Sequence, residues 1–455
     1  MSTAGGAFGR RAFWTALVLI AAGGVFLRAA FIDARLAQPP PRGGGWRSKV
    51  QLDPPLSKVG WSHDEQLYYL STAVNAFRGR GFFPDYNTVR DGIYVPPPGE
   101  SFFILGVFTL AGKLVEPSTL LGIQALMAGG MIVVAGLLCR HLISPLAGIL
   151  AAFLLAVHPD FIYLSAFLLT EGNYLCELVL FLFLATMAVE SGSPQMTLAA
   201  ALALGVLHLQ RINAAPTGVV LAVAWLLYTR GRAWRNALIL GVVPFLVLVP
   251  WLARNLATYG EPIWVNSNAG IHFYLANHPG LDAAVHPYVE EQSGALVPEL
   301  EAQLRDRDGR LTVTYYEYSR IYQTKMWEYI REQPGHFLRN CAYKFVNQFT
   351  LVQTGPRMAW RRWNSAETYT WTQRAVLGLG LFGLVAFVSL CPSPQGAVIV
   401  LMFLAFAAAG TLSILSSDGR YGVHLRLFLT LFIALGAGAV VERLRRPRRS
   451  LSAPM

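Results

Sequence analysis

Apolar residues fall along this chain in blocks close to the roughly 20 residues that a helix needs to cross a bilayer. Ten such blocks are present, at about 13–31, 117–139, 143–158, 171–190, 197–212, 214–229, 236–253, 373–391, 395–415 and 425–441. The pattern predicts an all-α polytopic membrane protein with about ten transmembrane helices. The run 101–112 is apolar but too short to cross, and it reads as a helix lying at the interface. Two long polar stretches, 32–116 and 254–372, separate the blocks. The second holds amphipathic pieces at 315–329 and 334–349, expected as juxtamembrane helices on the bilayer surface. No internal repeat of the inverted kind common in secondary transporters is evident.

Composition agrees. Of 455 residues, 54% are hydrophobic and 14% charged, against about 25% charged in soluble domains. The whole of 1–455 therefore reads as one membrane domain. The net charge of +11 matters for where it sits. Arg10 and Arg11, then Arg140 and His141, then Arg230, Arg232 and Arg235, and finally Arg443, Arg445, Arg446, Arg448 and Arg449 flank the blocks. Ten crossings put all four clusters on one side, which the positive-inside rule makes the cytoplasm. Both termini are then cytoplasmic and both long stretches extracytoplasmic. No basic face interleaved with aromatics is present, so nucleic acid is excluded as a partner. The first block is long and lacks a small-residue cleavage site, so it reads as an uncleaved anchor. Cys139, Cys176, Cys341 and Cys391 match no metal or redox spacing and read as small core residues.

Candidate chemistry gathers in the outer stretches. Asp64 and Glu65 open a predicted helix within Trp61-Ser-His-Asp-Glu-Gln-Leu-Tyr-Tyr69, and Tyr68 lies one turn beyond Asp64. A carboxylate beside the bilayer is able to act as a general base; a capping or dipole role at the helix start is the plainer alternative. Tyr94-Val-Pro-Pro-Pro-Gly-Glu100 leads into the interfacial helix. Glu171 sits at the outer end of the fourth block, and Arg211 ends the fifth in His208-Leu-Gln-Arg-Ile-Asn213. An outer arginine runs against the orientation rule. It suits phosphate through its forked donors, or snorkels to lipid head groups. Arg254 and Asn255 close the seventh block, Asn277 follows in Tyr274-Leu-Ala-Asn-His-Pro279, and Arg420-Tyr421 precedes the last block. Together these acids and arginines at one membrane face describe a site for an anionic, membrane-bound substrate.

The sequence resembles the GT-C superfamily of membrane glycosyltransferases, especially the protein mannosyltransferase and aminoarabinose transferase branch. Asp64-Glu65 with Tyr68, Pro96-Pro97-Pro98, Leu169-Thr-Glu171, Pro250-Trp-Leu-Ala-Arg-Asn255 with Gly260, Tyr274 to Pro279, and Arg420-Tyr421 carry the likeness in family order. The resemblance implies a GT-C fold and transfer of a sugar from a polyprenyl-phosphate donor to an acceptor hydroxyl on a lipid, glycan or protein. By carry-over Asp64 is the base, with Glu65 its orienting neighbour. Tyr68, Glu171, Arg211, Arg254, Asn255, Asn277, Arg420 and Tyr421 are the expected substrate-binding set. The expected location is a bacterial inner (plasma) membrane, with the site extracytoplasmic. No phosphate-binding glycine loop is evident, and neither metal nor cofactor is expected. The main rival is a transporter or flippase of lipid-linked sugars; a second is a catalytically inactive scaffold of the same fold. Ionisable residues at predicted helix ends, rather than mid-helix, favour the enzyme over the transporter.

Overall fold

Proline and serine set many of the helix starts. Pro117, Pro145, Pro159, Pro194 and Pro394 each occupy the first turn, where a missing N–H costs nothing. Ser144 and Ser193 add side-chain caps, accepting from the N–H of Ala147 and Met196. Gly192 and Gly260 close two long helices in the left-handed conformation, φ 63° and 73°, which a side chain would strain.

The computed structural model describes residues 3–37, 65–84, 95–211, 215–280, 297–307, 311–350, 366–413 and 422–445. Among them are helices only, apart from one isolated bridge between Arg305 and Leu311. In order they are α1 (Thr3–Leu36), α2 (Glu65–Phe77), α3 (Gly99–Ala111), α4 (Pro117–Leu142), α5 (Pro145–Val157), α6 (Pro159–Leu164), α7 (Thr170–Ser191), α8 (Pro194–Gln210), α9 (Ala215–Tyr228), α10 (Trp234–Tyr259), α11 (Ala269–Leu275), α12 (Pro298–Leu304), α13 (Tyr315–Glu332), α14 (Pro334–Thr350), α15 (Ala366–Leu390), α16 (Pro394–Ser413) and α17 (Val423–Arg445).

Each of the ten predicted blocks has its helix: α1, α4, α5, α7, α8, α9, α10, α15, α16 and α17. Seven are long and apolar enough to cross a membrane. The other three, α5, α8 and α9, run 13, 17 and 14 residues. The shortness of α5 has a local cause, because Pro159 breaks the run and α6 continues it. Large apolar side chains such as Leu19, Phe26, Leu246, Phe382 and Val385 stand exposed around the bundle. Such a surface needs lipid as its solvent.

The arginine-flanked ends meet at one end of the bundle. Arg140 lies over the Phe13 ring at 4.2 Å. His141 pairs with Glu190 at 2.7 Å, and Asn236 donates to the Gly192 carbonyl at 2.9 Å. Gly438 of α17 packs on Ala147 and Ile143. At the opposite end, α2 and α3 share a core with the end of α1 and the start of α4. There too α11 to α14 build a separate cluster around Tyr274, Tyr318, Tyr322 and Met326. The amphipathic pieces expected at 315–329 and 334–349 are α13 and α14. One crossing inside the bundle is unusually close. A Cβ on Gly436 of α17 would lie 2.4 Å from Gly383 Cα of α15, so only glycines admit this approach.

Candidate active site

The loop end of the bundle concentrates its buried charge in pairs. Glu171 in the first turn of α7 is buried and forms an ion pair with Arg211, the residue that closes α8. Thr170 joins them: Arg211 Nε donates to its hydroxyl at 3.2 Å, and that hydroxyl donates to Glu171 Oε2 at 3.3 Å. The sequence left Arg211 between phosphate binding and snorkelling. In the structure it turns inward to a buried carboxylate.

A second pair escaped the sequence reading. Asp160, in the first turn of α6, has a side chain 3% exposed, and Arg426 Nε of α17 lies 2.8 Å from its Oδ2. Gln373 of α15 donates to the same oxygen at 2.9 Å. His424 lies within electrostatic reach of both Arg211 and Arg426. Its ring packs on Phe406 at 5.4 Å, and its Nε2 has no hydrogen-bond partner. His158 accepts from the Asp160 N–H through Nδ1 at 3.3 Å and leaves Nε2 unpartnered. Two acid–arginine pairs with two histidines therefore tie α6, α7, α8, α15 and α17 together.

A third buried set flanks these. Glu100 of α3 accepts from Asn173 Nδ2 at 2.8 Å, and Gln210 Nε2 donates to Glu177 Oε1 at 3.2 Å. Glu100 Oε1 and Glu177 Oε2 lack partners. A Cβ on Gly99 would come within 2.6 Å of Gln210 Cδ, so the glycine in Pro-Pro-Pro-Gly lets α3 dock on α8. Arg28, fully buried in α1, caps the end of α5 by donating to the Leu155 and Ala156 carbonyls at 3.1 and 3.2 Å.

The remaining candidates spread over the outer segments. Arg254 donates to the Phe82 carbonyl and, at 2.8 Å, to Asn255 Oδ1, and it stacks on Tyr259 at 4.9 Å. Asn255 is buried and donates to the Ile263 carbonyl at 2.8 Å. Ser267 and Val95 exchange two hydrogen bonds, of 2.9 and 3.0 Å. Arg254 and Asn255 thus clasp the two long outer stretches together near the proline segment. Asn277 sits in another neighbourhood. Its Oδ1 accepts from Lys344 Nζ at 2.7 Å, and the Ala276 carbonyl accepts at 3.0 Å. Burial without a carboxylate pulls the Lys344 ammonium down from 10.5 to about 8. Tyr68 is half-buried, and its carbonyl accepts from Thr72 Oγ1 at 2.6 Å. Asp64, Arg420 and Tyr421 lie outside the described residues, as does the Glu65 side chain; α2 begins at Glu65 itself. Among the described residues no group of three His, Cys, Asp or Glu is arranged to hold a metal ion.

The all-α bundle with its juxtamembrane helices has the fold of solved archaeal oligosaccharyltransferases. Residues 95–253 match the family model of dolichyl-phosphate-mannose-protein mannosyltransferases. The archaeal oligosaccharyltransferase AglB from Archaeoglobus fulgidus, in complex with an inhibitory peptide and a dolichol-phosphate, is similar over 96% of this chain and 51% of its own, at 17% identity and TM-score 0.55. An Archaeoglobus fulgidus oligosaccharyltransferase in complex with zinc and sulfate is similar over 94% of this chain and 49% of its own, at 13% identity and TM-score 0.51. The chain thus spans about half the length of these structures. No curated protein matches the chain in sequence.

Proposed function

We propose that this protein is a glycosyltransferase. It moves a sugar from a polyprenyl-phosphate donor to an acceptor hydroxyl at the membrane face opposite the arginine-rich end, with inversion. The observation that carries this reading is the presence of two buried ion pairs, Glu171–Arg211 and Asp160–Arg426, at the loop end of the bundle. Asp64, directly before α2, takes the hydroxyl proton, and Glu65 orients it. The acceptor oxygen then bonds to the anomeric carbon as the bond to the phosphate oxygen breaks. The lipid phosphate leaves with that electron pair, and fixed guanidinium groups stabilise its growing charge. Because the donor carries its own leaving group, no nucleotide is required. Arg420 and Tyr421, just before α17, are assigned to the donor phosphate. Arg254 and Asn255 support the loop that carries the proline segment.

The transporter reading finds less support. The fully buried charged side chains Arg28, Glu100, Glu171 and Lys344 gather toward the loop end. The interior of the arginine-rich half is packed with residues such as Leu138, Leu182, Phe432 and Leu435. A path for a charged head group would need ionisable partners there.

The test is transfer from a panel of radiolabelled polyprenyl-phosphate sugars in membranes carrying the wild type or Asp64→Asn. Transfer that falls by about two to four orders of magnitude with folded protein unchanged is the expected outcome. Normal turnover by Asp64→Asn would remove it as the base. Absence of transfer from every donor by the wild type, with uptake of labelled lipid instead, would favour the transporter.

A further inference from the structure

The opposite end of the bundle holds a cavity that sugar transfer does not use. The end of α7, the start of α8, the end of α9 and the start of α16 line a cleft of about 140 Å³ that is partly open to the outside. Its cause is sequence: Ala185, Ala188, Ala200, Ala224 and Ala397, from four helices, face one another where larger side chains would fill the volume. Trp225 and Leu240 add apolar wall. Of the two hydroxyls in the lining, Thr197 is already spent on the Ser193 carbonyl at 2.9 Å and Tyr228 stands at the exposed mouth. Water has almost no partner there. An empty apolar cleft forfeits dispersion contacts on every wall, so a flexible hydrocarbon chain is its natural occupant.

The mouth says what the chain is attached to. Tyr228 lines it and is exposed, and the next turn brings Arg230, Arg232 and Arg235, all exposed. Trp234, also exposed, stacks with Arg235 at 5.5 Å, the mixture of aromatic and arginine found at a lipid head-group level. Two acids at this end, Glu190 and Glu442, lie near other cations, His141 at 2.7 Å and Arg445 at 3.9 Å. Three cations therefore stand beside an apolar slot, and among the described residues none of them forms an ion pair.

We infer that this cleft binds an anionic glycerophospholipid of the leaflet at the arginine-rich end, with one acyl chain among the alanines and the phosphate against the α9–α10 arginines. The site lies at the other end of the bundle from the sugar-transfer centre and is independent of that reading.

Native mass spectrometry of the delipidated full chain tests it, with dioleoyl phosphatidylglycerol and dioleoyl phosphatidylcholine as probes. The wild type should retain phosphatidylglycerol at roughly tenfold lower concentration than phosphatidylcholine, the scale of one or two well-placed surface charges. Ala200→Phe should abolish the tight adduct by filling the cleft. The triple variant R230Q/R232Q/R235Q, altered only at exposed positions, should keep the fold and lose the preference between the two lipids. Equal retention by the wild type, or an intact preference in the triple variant, overturns the proposal. So does displacement of phosphatidylglycerol by an equal concentration of undecaprenyl phosphate, which would give the cleft to an isoprenoid carrier.

Discussion

Removing one member of the Asp160–Arg426 pair should cost more than its share of the interaction. The two side chains are 3% and 12% exposed and 2.8 Å apart. Asp160→Asn leaves the Arg426 charge buried against an amide, and breaking a buried pair this way costs about 3–5 kcal/mol. Arg426→Met takes the cation from the buried carboxylate and should cost a similar amount. The double variant leaves no orphaned charge, so the cycle should close with a coupling of at least about 2 kcal/mol. An exposed pair would give only about 0–1 kcal/mol and would fade with salt; this one should respond little to ionic strength. Equilibrium unfolding of the four proteins in mixed detergent micelles measures the cycle. A double variant whose cost equals the sum of the singles within about 0.5 kcal/mol would refute the claim that the two charges answer each other.

Other expectations are shorter. Arg211→Lys keeps the charge but cannot reach both Thr170 and Glu171, so it should lower transfer and thermal stability together; unchanged values of both would return Arg211 to the lipid interface. Lys344 is depressed to about 8 in the folded protein against 10.5 unfolded, so the unfolded chain binds the extra proton between those values. Stability should therefore carry a penalty from this group below pH 8 that lifts as pH rises toward 10.5. Lys344→Met should remove that rising component when the two melting curves are compared over pH 7.5–10. A cysteine at position 450, on a background without accessible native cysteines, should react with a membrane-impermeant thiol reagent only after lysis; labelling of intact cells would reverse the proposed orientation.

The bundle was legible because span length is a property of single segments. Blocks such as 117–139 and 425–441 announce α4 and α17 through composition alone. The end of the third block has a readable origin too, since Pro159 follows directly and starts the separate helix α6. The site was legible only where polarity falls at the end of a block. Glu171 and Arg211 were marked in that way, and the structure joins them. Asp160 and Arg426 lie far apart in sequence, and each looks like an ordinary end charge until the fold opposes them. Glu177 and His424 are single polar residues inside apolar stretches, which hydropathy averages away. A usable signal existed: an arginine four residues into the last helix has no reason to be there unless a buried acid meets it.

The Gly383–Gly436 approach gives α17 a fulcrum. Ten residues separate Gly436 from Arg426, an arm of about 15 Å at 1.5 Å rise per residue. A swing of about 5° at the crossing then moves the guanidinium by roughly 1.3 Å, enough to break its 2.8 Å contact with Asp160. A single methyl group at Gly436 would force such a swing, because the Gly383 backbone cannot retreat. Alignment of the charged pair at one end of the helix is thereby set by two hydrogen atoms in its middle.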